Sequence, residues 1–261
     1  MKISDIEFVG IRPGDFVMGA FIFDVDKGEF RSSKRNVRIT SGYSLSSTPV
    51  TVRQFRAFQN AANYEIKDPC EEWIDGKWLP TATFESMNAG RDEYPVVGVS
   101  YDDACAFLEW FALENRVKAT LPTEAQFEYA ARAACACISS CHSLRTTERG
   151  SAPSDARLRV PPVRTEGPNG WGLFDMHGVL WQWCLDWYEA EYPSAPCLEN
   201  PAGPSTPPRS SLWRGTQLDR GRVIRGGSFS YPPEFSACSN RHFSFPTDRN
   251  FNVGFRVCLI D

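Results

Sequence analysis

Arg220-Gly-Arg-Val-Ile-Arg-Gly-Gly-Ser-Phe-Ser-Tyr-Pro-Pro-Glu-Phe-Ser-Ala-Cys-Ser-Asn-Arg-His-Phe-Ser-Phe-Pro-Thr-Asp-Arg-Asn-Phe-Asn-Val-Gly-Phe-Arg-Val-Cys-Leu-Ile-Asp261 is the stretch around which the chain is organised. Arg222 to Arg225 reads as a strand running into the Gly226-Gly227 pair, and Val253 to Ile260 alternates as a second strand. The residues between them show neither a helical nor a strand period. A loop that long inside a compact domain is uncommon, and such loops are either functional or disordered. Disordered segments are poor in aromatics, whereas this one is rich in Phe, Tyr and Ser. That composition is the one paratopes use: stiff aromatics for contact area, small hydroxyls for adaptable hydrogen bonds. An ordinary packed loop whose aromatics fill the core has the same composition, so both readings stand at this point.

Outward from this stretch, 261 residues with a hydrophobic fraction of 42% suit a single globular domain spanning 1–261, with 220–261 as its candidate ligand-binding segment. The formal charge of -4, without a basic stripe, argues against a nucleic-acid partner. No apolar run approaches the ~20 residues of a membrane span. The opening Met-Lys-Ile-Ser-Asp-Ile-Glu-Phe lacks the apolar core of a signal peptide. A cytoplasmic location is therefore expected, unless an export signal has been removed. Nine cysteines, an odd number at scattered spacings, argue against a disulfide framework. They read as reduced thiols behaving as small hydrophobes. Cys135, Cys137, Cys141 and His142 lack the paired two-residue spacings of zinc ribbons, and the region reads as a flexible loop rather than a metal site.

Asp15 to Met18 and Val37 to Thr40 read as short strands. A helix follows Thr51 as N-cap, with Phe55, Phe58 and Ala62 on its apolar side. Asp68 to Gly90 is loop-like, with an Asp75-Gly76 hairpin turn. Ser100 with Asp103 opens a second helix whose apolar side holds Cys105, Leu108, Trp110, Phe111 and Leu113. Thr123 with Gln126 opens a third, Phe127, Ala130 and Ala131 facing inward and Glu124, Glu128 and Arg132 facing outward or pairing locally. Cys135 to Asn169 is expected as a surface loop, and Asn169 to Met176 as a turn and strand. Val179, Trp181, Trp183, Leu185 and Trp187 alternate, which predicts a half-buried strand. Glu191 to Gly215 is Pro-rich and meandering.

Asp15-Phe-Val-Met-Gly19, Pro49-Val-Thr-Val-Arg-Gln-Phe55, Tyr94-Pro-Val-Val-Gly-Val-Ser-Tyr-Asp-Asp-Ala104, Leu121-Pro-Thr-Glu-Ala-Gln-Phe-Glu-Tyr-Ala-Ala-Arg132, Asn169-Gly-Trp-Gly-Leu-Phe-Asp-Met176, Arg222-Val-Ile-Arg-Gly-Gly-Ser228 and Val253-Gly-Phe-Arg-Val257 occur in this order. Together they resemble the formylglycine-generating-enzyme family, the sulfatase-modifying-factor domain. The resemblance implies an α+β, C-type-lectin-like fold with few short helices and strands and much irregular structure. In catalytic members two cysteines after the Gly-Gly-Ser turn hold copper(I), which soft thiolates suit. Counting from Ser228, those positions fall on Tyr231 and Ser236, and Cys238 comes two residues late. The sulfoxide-synthase relatives use a histidine-rich iron site, for which His142, His177 and His242 are too few. The family's calcium-binding Asn and Glu correspond to Val179 and Gln182, and valine offers calcium no side-chain oxygen. No cofactor, metal or catalytic residue is expected.

A closer likeness is to the variable proteins of diversity-generating retroelements, which use this fold to display a hypervariable surface. The resemblance places variable, ligand-binding positions at Ser230, Tyr231, Pro232, Phe235, Ser236, His242, Phe243, Ser244, Phe245 and Phe251, all reachable from asparagine codons by changes at adenines. Fixed landmarks stand between and after them: Cys238, Arg241, Arg249, Asn252, Gly254, Phe255 and Arg256. The expected function is a non-catalytic, monomeric binding scaffold for a protein ligand, in preference to a small molecule or sugar. The alternatives are a copper-dependent oxidase or a catalytically dead regulatory paralogue. If the surface is real, Ser230, Tyr231, Phe235, His242, Phe243, Phe245 and Phe251 converge on one exposed face.

Overall fold

The computed structural model describes residues 5–19, 21–24, 29–32, 34–74, 77–133, 160–189, 197–208, 212–213, 216–217, 220–231 and 233–261. The fold is α+β and built of short elements. Its helices are α1 (Val52–Ala62), α2 (Phe84–Asn88), α3 (Tyr101–Asn115) and α4 (Glu124–Arg132), and each opens with a reciprocal capping box. The boxes pair Thr51 with Gln54, Thr83 with Ser86, Ser100 with Asp103, and Thr123 with Gln126. Each satisfies amide donors that a helix start leaves open, and losing a cap costs about 1 kcal/mol. The sequence reading places α1, α3 and α4 but takes α2 for loop, because Ser86 is not the Glu or Gln that marks a box.

The buried stripes are narrower than predicted. Ala62 is exposed and Leu113 is 80% exposed, while Ala104, Phe107, Leu108 and Phe111 carry the inner side of α3. Phe107 stacks on Phe55 at 5.9 Å and meets Phe255 edge-on at 5.3 Å, which binds α1, α3 and the C-terminal segment into one core.

The central sheet runs His242–Ser244, Arg222–Arg225, Trp181–Trp187, Val253–Gly254. The first two pairings are antiparallel and the last is parallel. Trp181–Trp187 was expected half-buried, but Trp181, Gln182, Trp183, Cys184 and Asp186 are all buried. The strand is interior, with one hydrophobic cluster on its tryptophan side and a second, containing Cys184 and the α4 residues, on the other. Alternation of large and small residues therefore marks two cores rather than core and solvent.

A second, antiparallel sheet orders Phe8–Ile11, Tyr43–Ser46, Cys258–Ile260 and Lys118–Thr120. The single strand predicted from Val253 to Ile260 is thus two strands in two sheets. Phe255, Arg256 and Val257 carry the chain across, held as the Val50 amide donates to the Phe255 carbonyl (2.9 Å) and the Ser46 amide to the Val257 carbonyl (2.8 Å). Gly254 sits where a Cβ would come within 2.4 Å of the Val96 carbonyl oxygen.

A third sheet pairs Gly14–Met18 with Arg35–Ile39 and adds Leu198–Glu199 in parallel. Asn169–Met176 is a turn rather than a strand: the Asn169 side chain accepts from the Trp171 and Leu173 amides and donates to the Ala130 carbonyl. Strands Cys70–Ile74 and Lys77–Ala82 form the expected hairpin within the stretch read as loop; the Asp75-Gly76 turn itself lies outside the described residues. So do Cys135, Cys137, Cys141 and His142. The six described cysteines are free thiols. No helix among the described residues is long and apolar enough to cross a membrane.

Candidate functional site

The Arg222–Arg225 strand ends at Gly226 and Gly227, whose φ of 100° and 72° suit glycine. A Cβ on Gly227 would lie 2.7 Å from the Phe235 carbonyl oxygen. That close approach folds residues 228–236 back onto the turn. Beneath it lies a buried ionic cluster. Arg225 pairs with Glu128, which also accepts from the Arg132 guanidinium (2.6 and 2.8 Å) and the Gly19 amide (2.8 Å). Glu124 takes Arg241 through both its oxygens, at 2.5 and 2.8 Å. Glu124, Glu128 and Arg132, expected to face outward or pair locally, are all buried, and Glu128 and Arg132 do pair across one turn of α4. A helix pattern of charged residues reads as solvent-facing, but here partners distant in sequence, Arg225 and Arg241, neutralise them. Buried charges require such pairing.

Asp186 joins the same cluster. It accepts from the Glu124 amide at 2.7 Å, at the start of α4. Burial, with Glu124 nearby, pushes its carboxyl up to about 7. Asn252 donates to Ser228 and Ser230, and Arg249 forks onto Asp103 at 2.8 and 3.0 Å. These contacts clamp both ends of the segment to the scaffold.

Above this frame the rings meet one another. Phe235 packs edge-on against Tyr231 (5.4 Å), Tyr231 against His242 (6.2 Å), His242 stacks on Phe243 (5.6 Å), and Phe243 meets Phe245 (6.1 Å). Trp181 lies under Tyr231 and His242, and Tyr188 under Phe243. Gly221 gives Phe243 its seat, since a Cβ there would fall 2.5 Å from the ring. Burial pushes the His242 pKa down, which favours the neutral ring within this aromatic run. All five side chains are half-buried, and they wrap the edge strand His242–Ser244 of the central sheet.

Of the ten positions singled out, these five come together. Pro232 lies outside the described residues. Phe251 is only 5% exposed and packs on Phe229 at 5.7 Å, because it leads into the Val253–Gly254 strand. Ser236 and Ser244 are buried as well. Ser230 turns inward to Ser228 and Asn252. These four positions take no part in the ring series, and the series is not the single exposed face expected: its rings are half-buried, and the pleat sets His242 on the Trp181 side of the edge strand and Phe243 on the Tyr188 side. Sequence reasoning missed Tyr188 as part of its floor. The aromatic run of residues 181–187 leads up to it, but nothing local shows which loop Tyr188 supports.

The copper positions hold a phenol and a hydroxyl. Tyr231 rests on Trp181, Ser236 lies against Gly178 and Gly227, and the Cys238 sulfur points to His177 Nε2 at 3.8 Å. This donor set does not fit a two-thiolate copper(I) centre. His242 does not join His177, which contacts the Ser236 carbonyl through Nδ1. At the calcium positions Val179 is buried, and Gln182 accepts from Arg256 (2.6 Å) while donating to the Asp175 carbonyl (3.0 Å). The buried Arg256 guanidinium also takes the Ser46 and Phe174 carbonyls, so a side-chain cation collects the oxygens there.

Fold and site together define a C-type-lectin-like scaffold of the formylglycine-generating-enzyme type. Residues 2–259 match the sulfatase-modifying factor enzyme 1-like domain, and the chain belongs to that family. The formylglycine-generating enzyme of Streptomyces coelicolor is 31% identical over 70% of this chain, which spans 59% of that relative's length. The structure of PvdO from Pseudomonas aeruginosa is similar at TM-score 0.70 and 25% identity, covering 97% of this chain and 94% of its own. Treponema denticola variable protein 1 is similar at TM-score 0.67 and 19% identity with the same coverage, a likeness of fold.

Proposed function

We propose that the chain is a non-catalytic binding scaffold, diversified by a retroelement, that offers the Phe235–Tyr231–His242–Phe243–Phe245 run to a protein ligand. One observation carries this reading: rings from two stretches separated by residues 236–241 meet in one unbroken series of contacts, over a frame held by the Arg225–Glu128, Arg241–Glu124 and Arg249–Asp103 pairs. Half-buried aromatics with limited rotamer freedom make good anchors for a partner surface. The fold shared with Treponema denticola variable protein 1 supports it. A frame clamped at Arg225, Arg241 and Arg249 lets the rings between change without loss of the core.

The rival reading is the oxidase, which the names of the sequence relatives suggest. Tyr231 and Ser236 at the copper positions speak against it. Purified chain offered copper(I) is expected to retain no stoichiometric metal and to consume no oxygen with a cysteine-containing peptide; tight copper binding with turnover would overturn the proposal. The diversification is tested in the flanking DNA. A reverse transcriptase gene and a near-copy of the coding sequence for 220–261, differing mainly at adenines, are expected there. Flanking DNA with neither would remove the retroelement from the reading and leave a fixed binding patch.

A further inference from the structure

We infer that Arg222, at the rim of the aromatic face, is an anchor for a carboxylate of the bound protein, so that the ligand presents an acidic side chain beside an apolar one. The inference rests on the binding-face reading above and names the chemistry of its partner. Its starting point is a contrast among the arginines of the C-terminal segment. Arg225 and Arg241 are neutralised by Glu128 and Glu124, and Arg249 by Asp103 and Asp68. Arg256 is held by Gln182 and three carbonyls. For Arg222 no carboxylate lies within ion-pair distance among the described residues; Asp186 and Asp102 act on it only from further away.

Its guanidinium instead lies over two rings, with Cζ 3.6 Å from the centre of Trp187 and 4.4 Å from that of Tyr101. Nη1 donates to the Leu185 carbonyl at 2.7 Å, which fixes one end of the fork. Nε is buried and takes no partner, and Nη2 donates to nothing among the described residues. Arg222 as a whole is half-buried. The position adjoins the aromatic run. In the pleat Arg222 shares a side with its cross-strand partner Ser244 and with His242, the partner of Ile224, so it adjoins the His242 end of the run while Phe243 lies on the other side. The Tyr101 amide donates to the Pro246 carbonyl, which ties the chain after Phe245 to the same side.

A guanidinium already held against rings loses little freedom on binding, and its uncommitted Nη2 can donate a charge-assisted hydrogen bond to a carboxylate. The surroundings are aromatic, so a bound carboxylate would be partly desolvated and its bond strengthened. A phosphate would also suit the fork, but the net charge of -4 and the lack of a basic stripe disfavour a nucleic-acid backbone.

The test pans a displayed library of random linear peptides against the full chain. Recovered peptides are then measured with their Asp or Glu changed to the amide, on wild type, Arg222→Gln and Arg222→Lys. The expected result is acid beside apolar residues in the recovered peptides. The acid-to-amide change should weaken binding to wild type by about ten- to a hundredfold and hardly change binding to Arg222→Gln, since hydrogen bonds to charged groups are worth that much. Arg222→Lys, which keeps the charge and loses the fork, should fall between and guards against a misfolded Gln variant. Recovered peptides without acid, or an equal acid-to-amide loss on Arg222→Gln, would overturn the carboxylate anchor and leave the binding face standing. Failure to recover any peptide would sink both. Binding of an oligothymidine that is lost in Arg222→Gln would replace the carboxylate by a phosphate.

Discussion

At its ends the C-terminal segment is locked: Arg225, Ser228, Asn252, Phe255 and Arg256 are buried. Their partners come from far along the chain, with Glu128 for Arg225, Gln182 for Arg256 and Phe107 for Phe255. In its middle, Tyr231, Phe235, His242, Phe243 and Phe245 stay half-buried and touch one another, with Trp181 and Tyr188 beneath them. A residue with a buried polar or ionic partner cannot change alone, because its partner is then left buried and unsatisfied. Half-buried rings held by packing can change as a set. One stretch of chain thus carries both the frame and a replaceable surface, and the boundary falls at the Gly226-Gly227 turn and at Asn250 to Asn252.

The sharpest way to break this comparison is at the frame. Arg225→Met leaves Glu128 and Glu124 buried without their central cation and is expected to cost about 3–5 kcal/mol. Phe255→Ala opens a cavity between α1 and α3 and is expected to cost about 3–5 kcal/mol. Urea unfolding of the purified variants measures both. A loss below ~1 kcal/mol for each would show that the ends are not the frame.

A smaller effect is expected where the frame holds a charge it tolerates poorly. The Asp186 carboxyl is raised from 3.8 to about 7, chiefly by burial and then by Glu124. Between these values the folded state binds more protons than the unfolded one, so stability falls as pH rises toward 7. Asp186→Asn keeps an acceptor for the Glu124 amide and cannot ionise. It should flatten this decline and be more stable than wild type above pH 7. Thermal unfolding from pH 4 to 8 reads it out, and parallel curves for the two proteins would exclude the mechanism.

The parts of this arrangement that the sequence makes legible are local ones. Ser100 with Asp103 and Thr123 with Gln126 announce helix starts because capping acts over three residues. The aromatic composition of residues 229–251 singles out the candidate face, and five of its rings do meet. What stays hidden depends on contacts far along the chain. Glu124 and Glu128 read as surface charges until Arg225 and Arg241 fold over them. Phe251 and Phe245 look alike in sequence, yet one enters the central sheet and the other follows its edge strand. Val253 to Ile260 reads as one strand, since alternation does not reveal that the chain changes sheets at Arg256.

The pair Phe251 and Phe245 gives the finest test of the boundary, because residue type and segment are the same and only the surroundings differ. Phe251 is 5% exposed and packs on Phe229, so truncation to Ala removes a buried ring and should cost about 3 kcal/mol. Phe245 is half-buried and meets Phe243, itself half-buried; its truncation should cost about 1 kcal/mol or less, the scale of a surface change. Phe243 is the intermediate case. Its ring covers Gly221 and touches Tyr188, so Phe243→Ala should fall between the two. Unfolding free energies in the order Phe251, Phe243, Phe245 would place the boundary between frame and surface at Asn250 to Asn252. Equal losses at Phe245 and Phe251 would make the middle of the segment core, and the proposed binding face would go with it.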